Sequence, residues 1–317
     1  MTPRRFLTAA AIAVTLLAIA AGRLVNSPAP SGVLGELIHG ARPDYGPERV
    51  AAVPNEQAIV RRFWVPGLDA GYTPQGLAVI PGAVLISAYR ATQSGASRGP
   101  CRVFRLEPER GRETGHADIP SPCGHAGGLA YPGGALLYVA DTHALFEIFL
   151  RQAFDANALP IREIPLGPGL VGALALSTPG AIWTGTYRED REGELSRFRT
   201  ETLSGLPDGA TLTAADASAQ LAIPSYAQGA AIDRAGRLWV ARSDTRWGEL
   251  DRLDIATGKV ERRYPVTAGI EGIAFDQTGL LWAVSEAGAR HSYDNFFAAL
   301  VTPFFPLVFA IDPARLE

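Results

Sequence analysis

One phrase, two short apolar runs around a turn, recurs five times along this chain and constrains the fold more than any other feature. Residues Gln75 to Tyr89 read QGLAVIPGAVLISAY, two strand-like runs joined at Pro81-Gly82. The phrase returns as GGLAYPGGALLYVADT from Gly127, GALALSTPGAIWTGTY from Gly172, GAAIDRAGRLWVARS from Gly229 and GIAFDQTGLLWAVS from Gly272. The leading glycines (Gly76, Gly128, Gly172, Gly229 and Gly272) are 52, 44, 57 and 43 residues apart. A strand–turn–strand unit at a spacing in this range predicts an all-β chain folded as a single β-propeller.

A propeller blade has four strands, so each phrase supplies the inner half of one blade. The predicted blades run over 75–122, 127–168, 171–224, 228–267 and 271–311. Further strands are predicted at Phe146–Leu150 and Ile161–Ile164 in the second blade, and at Leu250–Ile255 and Val260–Pro265 in the fourth. The last blade falls one strand short, with only Leu307–Ile311 after its phrase. Gln57–Val65 (QAIVRRFWV) reads as a strand with no neighbour of its own. Placed as the outermost member of the last blade, it completes the ring and removes an open edge. Five blades are therefore expected, or six if residues 35–60 hide a degenerate unit. In the third blade, REDREGE (Arg188 to Glu194) is a charge run expected to form a solvated loop.

Ahead of the propeller domain (55–317), residues 1–21 have the form of a targeting segment: Arg4 and Arg5, the uncharged apolar run Phe6 to Ala21, and a small-x-small site at Ala18-Ile19-Ala20. It is either a cleaved signal peptide or an N-terminal anchor. Residues 22–54 read as a linker, with a helical turn over Gly35 to Ala41. The expected location is periplasmic, extracellular, or tethered to the outer face of the cytoplasmic membrane, with membrane contact only through the N-terminal segment. The two cysteines then matter. Cys101 opens the segment CRVFRL, Pro108 to Gly111 is a turn, and Cys123 lies beyond the returning segment that ends near Ile119, so a hairpin about that turn brings the two together. A disulfide fits an oxidising compartment.

Composition excludes some functions. The net charge is −3, so no basic footprint for nucleic acid exists. Lys259 is the sole lysine beside 28 arginines, an imbalance that points to a GC-rich genome and weakens arginine as a functional signal. No HExxH or phosphate-binding glycine loop is present.

The phrase G-[LIA]-A…G-x-[LI]-[WYI]-V resembles the inner strands of the NHL, streptogramin-lyase and gluconolactonase-like (senescence-marker-like) propeller superfamily, across most of the chain beyond residue 55. More narrowly, TPQGLAV, GHAGGLAY and PFFPLVFAID resemble uncharacterised exported bacterial propellers. The resemblance implies the fold; its gluconolactonase-like members imply one divalent cation (Ca or Mg) in the central channel, held by acidic and amide residues. Just ahead of the repeat glycines stand Gln75, Gly127, Val171, Gln228 and Glu271, so Glu271 is the one carboxylate in this register and the metal-ligand candidate. The Glu-Gly opening of the family's first blade reads Gln75-Gly76 here.

In a propeller the inner strand starts, and the second strand ends, on one face. That rule gathers Gln75, Tyr89, His125, Asp141, Tyr187, Gln228, Arg242, Glu271 and Glu286 around the channel mouth as ligand-binding candidates, a mixture suited to a polar molecule or cation. His125 and Asp141 are candidate acid–base residues. For Asp141 the competing role is a turn cap; for Gln75 and Gln228 it is bonding between blades, and for Arg242 it is solvent exposure. Glu271 near the axis requires a partner, cation or ligand. The expected function is an exported propeller binding a small molecule, glycan or protein at the mouth without catalysis. The alternatives are a divalent-cation-dependent lactonase-type hydrolase or lyase, and a protein-docking scaffold using the tail HSYDNFFAALVTPFF. In that tail, burial of Phe296, Phe297, Phe304 and Phe305 competes with an exposed docking patch.

Overall fold

A computed structural model describes residues 30–91, 98–155, 161–294 and 301–317. Its centre is a ring of five four-stranded antiparallel sheets, each a blade of one propeller. Blade one holds β4 (Tyr72–Ile80), β5 (Ala83–Ala91), β6 (Arg98–Leu106) and β7 (Glu113–Ile119). Blade two holds β8 (Gly128–Ala130), β9 (Leu136–Ala140), β10 (Ala144–Phe149) and β11 (Ile161–Pro165). Blade three holds β12 (Leu174–Thr178), β13 (Ala181–Gly185), β14 (Gly193–Arg199) and β15 (Ala219–Ile223), with α2 (Thr200–Gly205) between the last two; α1 (Leu150–Asp155) lies in blade two. Blade four holds β16 (Ala227–Ile232), β17 (Leu238–Ser243), β18 (Gly248–Leu253) and β19 (Val260–Val266).

Blade five contains β20 (Ile270–Phe275), β21 (Leu281–Ser285) and β22 (Leu307–Ile311), and its fourth strand is β3 (Ile59–Trp64). The chain thus closes as expected: Leu307 pairs with Trp64 and Val308 with Phe63. The inner strands β4, β8, β12, β16 and β20 meet in that order and return to β4. No sixth sheet of blade type exists among the described residues.

Polarity follows distance from the axis. Second strands have apolar neighbours on both faces, and Val84 to Tyr89 and Leu281 to Ser285 are buried throughout. Outermost strands are wetter: β7 alternates toward its end, and β19 is exposed or half-buried along all but its last residue. Blades four and five share a turn device. Asp233 and Asp276 each accept backbone N–H groups two and four residues on, and each also accepts the indole N–H of a buried Trp six residues on, Trp239 and Trp282. The spacing D-x-x-G-x-L-W therefore pins a turn to the core.

The repeat glycines sit where neighbouring blades approach most closely. A Cβ on Gly76 would lie 2.7 Å from the Cα of Gly128. Gly128 likewise abuts the Ala175 backbone, Gly229 that of Glu271, and Gly272 that of Leu77. Blade three departs from the expected register. Its ring contact falls on Ala173 to Ala175, while Gly172 packs against the Asp141 carbonyl instead.

Residues 33–54, read from sequence as the end of a linker, pack on blade five. β1 (Pro30–Leu34) pairs with β2 (Arg49–Ala51), and a single helical turn covers Gly35–Leu37. The Trp64 indole donates to the Gly35 carbonyl (3.1 Å), and Ala51 N–H donates to the Phe304 carbonyl (2.9 Å). Val50 and Ile38 are buried there. Phe304 and Phe305 are 7% and 0% exposed, Phe304 being boxed in by Tyr45, Trp64 and Tyr293. Burial wins for this part of the tail, and Phe304 and Phe305 form no exposed docking patch. Phe296 and Phe297 lie outside the described residues, as does the segment 1–21. Cys101 and Cys123 form the disulfide, with their Cα atoms 5.8 Å apart; Cys101 pairs with Ile119 across the hairpin, as the turn position implied. No helix among the described residues is long and apolar enough to cross a membrane.

Candidate functional site

The glycine layer draws the five inner strands together, and the residues directly above it become the floor of the channel mouth. Gln75 and Glu271 are buried there, 4% and 2% exposed, and Gln228 is half-buried. Gln75 Nε2 donates to Glu286 Oε2 (3.0 Å) and to the Pro74 carbonyl (2.8 Å), tying blade one to blade five. That is the bonding between blades considered for this residue.

Glu271 is different. Among the described residues nothing donates a hydrogen bond to its carboxylate and no arginine pairs with it. Burial pushes its pKa well above the usual carboxylate range, and the nearby Glu286 charge pushes the same way. Tyr187, at the end of β13 two blades away, is raised by burial first, then by Glu189, and further by Tyr226 and Glu271. The two residues thus share one electrostatic environment.

An aromatic wall rises beside this floor. The Tyr187 hydroxyl donates to Glu189 (3.2 Å), and its ring meets Tyr226 edge-on at 6.2 Å. Tyr226 in turn meets Trp247 edge-on at 5.3 Å. Tyr226 adopts a positive φ of 61° and its N–H donates to the Arg188 carbonyl (2.6 Å), which sets the ring's position on the rim. Across the mouth, the Tyr89 and His125 rings lie 5.9 Å apart.

Other candidates take structural roles. Asp141 Oδ1 accepts the N–H groups of Gly124 (3.2 Å), His125 (2.6 Å) and Ala126 (2.9 Å). The capping role considered for this aspartate therefore describes its geometry: it shapes the loop entering β8. Arg242 is not solvent-facing. It donates to the Ser225 carbonyl (2.7 Å), to Glu249 (2.8 Å) and to the buried Asp251 (3.3 Å), and stacks over Trp247 at 5.5 Å. Arg90 and Arg188 donate to the Ala70 and Tyr187 carbonyls.

Sequence reasoning missed two features. Trp247 joins the wall through its position in the β17–β18 loop, which only strand pairing reveals. Thr73, two residues ahead of Gln75, has a buried hydroxyl with no hydrogen-bond partner. As for the cation implied by resemblance, Glu271, Glu286 and Gln75 are hard oxygen donors, but calcium takes six to eight such oxygens. Among the described residues, the one convergent group of three His, Cys, Asp or Glu ligands is Cys101, Cys123 and Asp141, and its sulfurs are joined in the disulfide. The floor fits an anchor for a hydrated cation, not a complete coordination shell.

Comparison with known proteins bears on the fold. The Myxococcus xanthus glutaminyl cyclase structure matches with a TM-score of 0.51 at 14% identity, covering 80% of this chain and 94% of that one. The chain shares its propeller fold. The PQQ-bound aldose sugar dehydrogenase of Streptomyces coelicolor matches at a TM-score of 0.40, 19% identity and coverage of 74% and 78%. Virginiamycin B lyase from Staphylococcus aureus matches at 0.36, 15% identity and coverage of 67% and 63%. No family model and no curated protein matches the chain. At these identities the likeness concerns fold alone.

Proposed function

We propose that this chain is an exported binding propeller that takes up a small polar molecule at its channel mouth without chemical turnover. One observation carries the reading: a buried carboxyl, Glu271, sits at the floor of the mouth with no protein partner. Burying such a group unpaired is unfavourable, and a bound ligand is the natural complement. The aromatic wall supplies the apolar contact area typical of small-ligand sites. The absence of turnover is supported by Asp141, whose carboxylate is taken up by the loop it organises and is poorly placed for proton transfer. Export is supported by the targeting-type N-terminus and the disulfide.

A ligand-induced melting screen of the full-length chain with small polar molecules tests this reading. Hits that raise the melting temperature of the wild type and not of Glu271→Gln are expected; hits indifferent to that substitution would remove Glu271 from the site. A second reading, a divalent-cation-dependent lactonase-type hydrolase or lyase, is favoured by the carboxylate pair Glu271 and Glu286 with Gln75 beside it. Lactone hydrolysis that calcium supports and EDTA abolishes would establish that reading in place of the first.

A further inference from the structure

We infer that the ligand of the channel mouth is a small organic ammonium ion, held between the Glu271–Glu286 floor and the rings of Tyr187 and Tyr226. The inference rests on the reading of the mouth as a ligand site and adds the sign and chemical class of what binds.

Charge gives the sign. The floor presents two carboxyl groups, and Glu271 has no donor of its own. The arginines nearest the rim are committed elsewhere: Arg242 to Ser225, Glu249 and Asp251, Arg188 to its own chain, and Arg90 to Ala70. An anion entering the mouth would meet two carboxyl groups at the floor and no guanidinium beneath them. A cation would meet its complement.

The wall gives the class. Tyr187, Tyr226 and Trp247 form a continuous edge-to-face row on one side of the floor, and aromatic faces attract ammonium groups and the alkyl carbons attached to them. Arg242 over Trp247 at 5.5 Å already shows this chemistry at the outer end of the row. A divalent metal gains nothing from aromatic faces, and the floor offers it fewer oxygens than it takes. An organic ammonium needs only the acid beneath and the rings beside it.

The test is a calorimetric titration of the full-length chain in EDTA with four probes: choline, propylammonium, the neutral choline isostere 3,3-dimethylbutan-1-ol, and propionate. Choline or propylammonium should saturate the site, with the neutral isostere and propionate weaker by about tenfold or more, the margin expected from one desolvated cation–π and charge contact. Glu271→Gln should weaken the ammonium probes by about tenfold, and Tyr187→Leu by several-fold. If Glu271→Gln does not fold, Glu286→Gln gives the same readout. Equal binding of choline and its neutral isostere would overturn the inference and leave the mouth a ligand site. Hits from the melting screen that are all neutral or anionic and depend on Glu271 would do the same. Saturable binding of calcium chloride without EDTA, with no response to any ammonium probe, would replace the inference with the cation-dependent reading. No Glu271-dependent ligand of any kind would end both.

Discussion

At the residue scale, the most constrained positions are those where a side chain has no room or a carboxylate has several donors. Gly76 faces the Gly128 backbone across the ring, so Gly76→Ala must displace main chain instead of a flexible side chain. It should destabilise the protein by about 3 kcal/mol in urea melts, the upper range for overpacking; Gly82→Ala, at a turn where a Cβ meets nothing within 4 Å, should be limited to the strain of its positive φ. Asp141→Ala removes the acceptor of three N–H groups and should cost about 2–3 kcal/mol, with Asp141→Asn losing less, as measured by chemical denaturation. Glu271 was legible in the sequence because its place before a repeat glycine fixes its height on the axis. The role of Arg242 was not. Its partners Glu249 and Asp251 are seven and nine residues ahead, and only the β17–β18 register, pairing Arg242 with Glu249, brings them beside it.

At the element scale, second strands were readable as unbroken apolar runs because each is packed between two blades. The disulfide was readable from the turn between its cysteines. Replacing Cys101 and Cys123 together by serine should lower stability by about 3 kcal/mol, in line with a loop of some twenty residues, provided the melt is compared under non-reducing conditions. β2 was not readable: Arg49–Ala51 is three residues long and draws its burial from Phe304 and Trp64, residues distant in sequence. The blade-three register also misled, since Gly172 carries the repeat phrase while Ala173 to Ala175 occupy the ring position. The Asp–Trp turns make a separate prediction. Burial alone would raise the Asp276 carboxyl, but hydrogen bonds from Thr278, Trp282 and Leu280 outweigh it and hold the pKa below the ordinary value; Asp233 behaves likewise with Trp239 and Arg237. Their contribution is present above the unfolded-state pKa and is lost as pH falls through the folded one. Asp276→Asn should therefore flatten part of the acid limb of a melting-temperature profile.

At the scale of the whole molecule, the ring is held shut by β3, the one blade-five strand taken from the N-terminal end of the chain. Deleting residues 30–64 removes Phe63 and Trp64 from the core and leaves β22 as an open edge. Such a chain should lose cooperative melting by circular dichroism, because every blade depends on two neighbours. The same compact five-fold axis creates the functional problem at its mouth, a carboxyl buried without a partner. A raised folded-state pKa means that Glu271 favours folding fully below its unfolded value and loses that contribution as pH rises through the folded one. The account is therefore tested most directly by melting curves of the wild type and Glu271→Gln in EDTA from pH 4 to pH 8, without added ligand. It predicts that the substituted protein melts higher at pH 8 and that the difference vanishes toward pH 4. A Glu271→Gln protein that melts lower than the wild type at pH 8 would mean that the carboxylate already has its partner within the fold, contradicting the site at its foundation.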